Sequence, residues 1–104
     1  MRRVILHSVG KFDRRLALLF ATTTPAGKKL LTERWQKLVR DFFKGDFSTA
    51  SPHNQMDGSQ CIPVIDDHVV VFLVETRPDE SLDLVDHVTL LTIEEEPEQM
   101  HKFS

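Results

Sequence analysis

The spacing of apolar residues changes along the chain, and each change marks an element. Over residues 3–9, Val4, Leu6 and Ser8 alternate with Ile5, His7 and Val9. Apolar side chains at both parities, several of them β-branched, predict a strand in the interior of a sheet. Gly10 interrupts the pattern, and Phe12, Leu16, Leu19 and Phe20 then recur at the spacing of an amphipathic helix, with Arg14 and Arg15 off the stripe. Three threonines and Pro25 end this helix and begin another. Thr24 suits the N-cap, and Pro25 suits the first helical position, where its missing N–H costs nothing.

In the second helix Leu31, Trp35, Leu38, Val39, Phe42 and Phe43 fall on one side at 100° per residue. Gly45 follows as a natural C-terminal cap, and residues 46–60 are polar and rich in turn formers, which predicts a loop. Residues 62–65 and 68–75 are apolar runs separated by Asp66 and Asp67, the pattern of a hairpin turning at the two aspartates. A loop over 76–86 and a last strand over 87–93 complete the series. The predicted order is β-α-α-β-β-β. It is an α+β class in which a two-helix hairpin packs on a mainly antiparallel sheet, with the position of the first strand left open between an edge and a place beside the last strand.

At 104 residues the chain is expected to form a single domain with one core. No apolar run approaches the ~20 residues of a membrane span, no secretory signal is visible, and the lone Cys61 has no partner for a disulfide or a zinc site. A cytoplasmic protein without membrane contact is the expectation. The net charge of −3 hides two opposed halves. Residues 1–44 carry 11 Lys or Arg against three acids, a balance of +8, whereas residues 45–104 carry two against 13, a balance of −11. Such asymmetry calls for an anionic partner on one face and a cationic partner, or another copy of the chain, on the other.

The polar face of the second helix is mostly basic, and its Lys29, Lys37, Arg40 and Lys44 form the best candidate for phosphate contacts. Trp35, Phe42 and Phe43 sit on the apolar stripe and read as core rather than as a stacking platform. Cys61 reads as a small core residue, and His7 as a half-buried, hydrogen-bonded side chain. A metal site built from His68 with Asp66 and Asp67 is disfavoured, because neighbours along a strand point to opposite faces. No phosphate-binding glycine loop or nucleophile elbow occurs.

Several segments together resemble the RelE/ParE superfamily of small bacterial toxins, and within it the YafQ-like branch. ILHSVGKFDRRLALL resembles the family's opening strand and basic-leucine helix, and HNQMDG its loop histidine and glycine. IPVIDDHVVVFLVE is similar to its hairpin with a short acidic turn, and MHKF to its closing histidine and aromatic. The resemblance spans nearly the whole chain. It implies growth arrest, either through metal-independent cleavage of mRNA on the ribosome, with no cofactor, or through poisoning of gyrase, and it implies a cognate antitoxin as partner. Cleavage of this kind needs a group to take the ribose 2′-hydroxyl proton, cations for the phosphate charge and an acid for the leaving oxygen. Histidine suits both proton steps.

Position by position, the resemblance assigns the loop histidine to His53, the turn aspartate to Asp67, the following aromatic position to His68, and the closing histidine and aromatic approximately to His101 and Phe103, with Lys102 the cation beside them. The last strand departs from the pattern: where the family carries an arginine for phosphate, this chain has Glu94, Glu95 and Glu96. A second reading follows from those acids. A non-enzymatic inhibitor or antidote could use Glu94, Glu95 and Glu96 to occupy a cationic surface of a partner protein, an association that salt would weaken.

Overall fold

The computed structural model describes residues 3–53, 58–65 and 67–95. Strand β1 (Arg3–Ser8) leads into helices α1 (Gly10–Thr22) and α2 (Pro25–Phe43), followed by a short β2 (Ser51–Pro52) and three longer strands, β3 (Ser59–Ile65), β4 (His68–Pro78) and β5 (Leu84–Glu95). The sheet order is β1-β5-β4-β3-β2, with β1 parallel to β5 and every other pairing antiparallel. Two helices covering one face of this sheet give the α+β class that the hydrophobic pattern predicts.

Local signals set the helices. The Thr24 hydroxyl accepts the Gly27 N–H at 3.1 Å, and Pro25 opens α2 behind it. At the other end Gly45 takes φ +72°, the left-handed turn that glycine enters without steric cost, and its N–H reaches the Phe42 carbonyl at 2.9 Å. The apolar stripes then meet the sheet. Phe12 and Leu19 of α1 and Leu31, Leu38 and Phe42 of α2 are buried against Val4, Ile62, Val64, Val70, Phe72, Val88, Leu90 and Ile93. Phe42 packs on Phe72 with ring centroids 4.8 Å apart, and Phe47 closes the cluster against both. Trp35 is only partly buried and leans on Phe12 at 5.6 Å. Phe43, at 49% exposure, lies outside the core that its place on the stripe predicts, because it stands about 100° around the helix from the fully buried Phe42, at the margin of the stripe. Cys61 is half-buried.

The strands differ from the sequence pattern in three ways. β1 is an edge strand rather than an interior one: only β5 pairs with it, Val4 is buried beneath the helices, and Ile5 on the opposite face is half-buried. The polar segment 46–60 contains β2, whose two residues pair with Gln60 and Cys61 through backbone bonds that hydrophobicity does not report. The β4–β5 ladder also runs well past its apolar part, through Glu75↔His87 and Arg77↔Val85 to Pro78↔Leu84, and the Thr76 hydroxyl donates to Asp86 Oδ1 at 2.6 Å within it. The connecting turn is therefore short. Asp79 Oδ1 accepts the N–H groups of Ser81 and Asp83, and Leu82 sits at φ +64°. Among the described residues no helix is long and apolar enough to cross a membrane.

Candidate functional site

Strand register decides which of the candidate side chains can meet. Val70 and Ile93 are partners in the helix-covered core, so the adjacent pair Val69↔Glu94 points to the open face of the sheet, and the next pair, His68↔Glu95, points back beneath the helices. His53 comes from the end of β2 and reaches the open face. Its N–H donates to the Ser59 carbonyl at 3.0 Å, which extends the β2–β3 pairing by one residue. Its ring Nε2 lies 2.8 Å from Glu94 Oε1, and its Nδ1 lies 3.4 Å from the Ser59 hydroxyl. The side chains of His53 and Glu94 are 13% and 35% exposed, so the contact is a partly buried imidazole–carboxylate pair with the carboxylate at its wet end.

A carboxylate on one ring nitrogen fixes the orientation of an imidazole, which is the arrangement of a proton-transfer group. Ser59 extends the pair into a row of serine, histidine and glutamate, but its side chain is buried and no reacting group can approach it from solvent. Its part is to hold the ring.

His68 lies elsewhere. It lines a shallow cleft with Arg15, Leu18, Leu19 and Thr22 of α1 and with Ile93 and Glu95 of β5, and its Nδ1 is buried with no hydrogen-bond partner among the described residues. Asp67 is exposed in the β3–β4 turn. His53 and His68 thus occupy opposite faces of the sheet and do not converge on one reacting atom. His101, Lys102 and Glu96 lie outside the described residues. Lys29, Lys37 and Arg40 are exposed along α2 and Lys44 just past its end, with Lys37 paired to Asp41 one turn on at 2.9 Å. The helix layer therefore presents cations to solvent on the side opposite the His53–Glu94 pair. Among the described residues no group of three or more His, Cys, Asp or Glu side chains is placed to hold a metal ion.

Two features escape sequence reasoning. The first is Glu94 as the partner of His53: the acidic run reads as a free patch, whereas one of its members is already engaged. The second is a histidine pair across β1 and β5. His7 Nε2 and His87 Nδ1 are 3.0 Å apart, with the rings nearly parallel at 12° and their centroids 5.2 Å apart. His7 is hydrogen-bonded, as its place in a strand predicts, but it is exposed rather than half-buried. Partial desolvation, and then the positive charges of Arg77, His7 and Arg3, hold His87 below the ordinary imidazole value, against an opposing pull from Glu75. No sequence motif links residues 80 positions apart; alternation within each strand was the only available signal.

The chain shares its fold with two solved structures. It is similar to a YoeB/ParE toxin from Agrobacterium tumefaciens with a TM-score of 0.64 at 14% identity, over 93% of this chain and 100% of that one. It is similar also to YafQ from E. coli strain BL21(DE3), with a TM-score of 0.63 at 10% identity over the full length of both. At these identities the likeness is one of fold. No family model matches the sequence, and no curated protein matches it. The architecture inferred from the strand, helix and hairpin segments is borne out over nearly the whole chain.

Proposed function

We propose that this chain is the toxin of a toxin–antitoxin pair and that it arrests growth as a metal-independent endoribonuclease acting on mRNA in the ribosome, with no cofactor. The observation that carries the reading is the His53–Glu94 pair at 2.8 Å on the open face of a toxin-like sheet. With Nε2 held by Glu94, His53 works through Nδ1, which exchanges its long 3.4 Å contact with the Ser59 hydroxyl for the substrate and takes the proton from the ribose 2′-hydroxyl or delivers one to the leaving oxygen, while Glu94 positions the ring. Glu94 then belongs to the chemistry rather than to a docking surface, which removes one of the three acids on which the inhibitor reading rests. The basic face of α2, with Lys29, Arg40 and Lys44, supplies the long-range attraction for ribosomal RNA, and an antitoxin is the cognate partner.

Cell-free translation with added protein, read by primer extension along the mRNA, tests the proposal. Cuts at ribosome-occupied codons that vanish without ribosomes, and that His53→Ala abolishes in a protein with unchanged circular dichroism, are the expected result. Intact mRNA in the presence of active ribosomes sinks the nuclease reading. If growth arrest persists in that case, gyrase becomes the next target to assay; if Glu95→Gln, which leaves the His53–Glu94 pair intact, relieves the arrest, the acidic end of β5 is what binds.

A further inference from the structure

On the open face of the sheet, at the end away from His53, β1, β5 and β4 lay out a block of nine side chains in register. Arg3, Ile5 and His7 stand beside Val85, His87 and Thr89, and these stand beside Arg77, Glu75 and Leu73. We infer that Arg3, Arg77 and the His7–His87 pair form a binding site for a phosphoryl group, either free phosphate or the phosphodiester of a single-stranded nucleic acid. The inference is independent of the nuclease reading and uses none of its residues.

Three observations carry it. Arg3 and Arg77 both pair with Val85, one from each side, and Val85 is 2% exposed on a face that no helix covers. The register alone sets the two arginines on either side of a small apolar residue, so both guanidinium groups rise from the same strip of surface. His87 is the next residue on this face after Val85, so its imidazole stands diagonally beside both arginines, and His7 joins it from one step further along β1, beyond Ile5. The pair is also poised for a ligand. With the two ring nitrogens 3.0 Å apart, one N–H is spent on the neighbouring ring, and an incoming oxyanion that accepts from both rings requires one added proton.

Two arginines and two acids surround the pair, and an anion binds there by outcompeting the acids for the arginines. Arg3 faces it from β1, and Glu75 and Arg77 face it from β4; the remaining acid of β5 at this end, Asp86, turns to the other face and is held by Thr76. Arg3 touches Asp79 at 3.4 Å with its side chain 65% exposed, a long contact that a stronger acceptor can replace. No salt-bridge partner of Arg77 lies among the described residues' ion pairs. A phosphoryl group offers several oxygens to two guanidinium forks and two imidazoles at once, which a single carboxylate does not. Binding therefore takes up a proton at the histidine pair and strengthens as pH falls.

The test follows the ring Cε1–H signals of His7 and His87 by NMR in the full chain, assigned with His7→Gln and His87→Gln, during titration with inorganic phosphate and separately with a short oligouridylate. The expected result is a rise in the titration midpoint of His87 on addition of ligand, with binding about tenfold weaker in Arg77→Met, the loss of one charged hydrogen-bonding group. Arg3→Gln serves as a second variant should Arg77→Met fold poorly. Tighter binding of oligouridylate than of phosphate at equal phosphate concentration, lost as salt rises, assigns the site to a nucleic-acid backbone. Equal or tighter binding of phosphate assigns it to a small phosphorylated ligand. A His87 midpoint that neither ligand moves, or binding that is unchanged in both arginine variants, overturns the proposal, whatever the translation assay shows.

Discussion

His53 Nε2 and Glu94 Oε1 are 2.8 Å apart although 41 residues separate them, and their contact ties the end of β2 to β5 across β3 and β4. Histidine and carboxylate here are only partly desolvated, so the pair contributes modestly to stability. A double-mutant cycle of His53→Ala and Glu94→Ala, read by urea denaturation, should return a coupling of about 0.5–1 kcal/mol. Glu94→Gln keeps an acceptor for the ring N–H and should leave the denaturation midpoint nearly unchanged while lowering any RNA cleavage. A parallel loss of both would make Glu94 a structural residue only.

The aromatic cluster gives a prediction that does not depend on function. Phe42 is fully buried between Phe72 and Phe47, so Phe42→Ala should destabilise the fold by ~3–5 kcal/mol, as deletion of a large ring from a packed core does. Trp35 shares the same helical stripe but remains partly exposed against Phe12, and Trp35→Ala should cost less, about 2–3 kcal/mol. Equal losses at the two sites in chemical denaturation would contradict the burial difference.

Leu82 presents the opposite case. It occupies the left-handed region at φ +64° in the β4–β5 turn and is 81% exposed, so its side chain contributes almost no packing to offset its backbone. Leu82→Gly relieves a steric cost of ~1 kcal/mol, while the added freedom of glycine in the unfolded chain takes back about half. A net gain of roughly 0.5 kcal/mol in thermal or urea melts is expected. Leu82→Val, branched at Cβ, should lose about 1 kcal/mol instead.

What could be read from the sequence was what is determined locally. Thr24, Pro25 and Gly45 act within one turn of themselves, and the stripes of α1 and α2 need only the helical period, so both helices and their caps were legible. The strands were legible where they are apolar, and their ends were not: β4 continues through Thr76 and Arg77 because backbone pairing with β5 accepts any residue. The site was less legible than the fold. His53 was identifiable as a loop histidine through the family resemblance, but its partner depends on register, and the register shifts between Val71 and Phe72 just before the Val69↔Glu94 pairing that brings the carboxylate to it. Opposite placement of His53 and His68 follows from the same count of residues along β4, which the amino-acid pattern does not supply.

Acid should weaken the fold through His87. Desolvation and the neighbouring cations Arg77, His7 and Arg3 lower its proton affinity in the native state below the 6.5 of a free imidazole. The unfolded chain therefore binds the proton first. Above 6.5 both states are neutral at this residue and it contributes no slope; as pH falls through 6.5 toward the lower native value, stability declines, and below that value the loss is complete and flat. Urea denaturation midpoints measured between about pH 7.5 and about pH 5.5 should fall with acidity. His87→Gln, which keeps a hydrogen-bonding group facing His7, should flatten that dependence. Saturating phosphate should flatten it as well if the arginine–histidine site is occupied, because an anion beside the pair restores the proton affinity that the cations remove. An unchanged slope in His87→Gln would mean that another group carries the acid sensitivity.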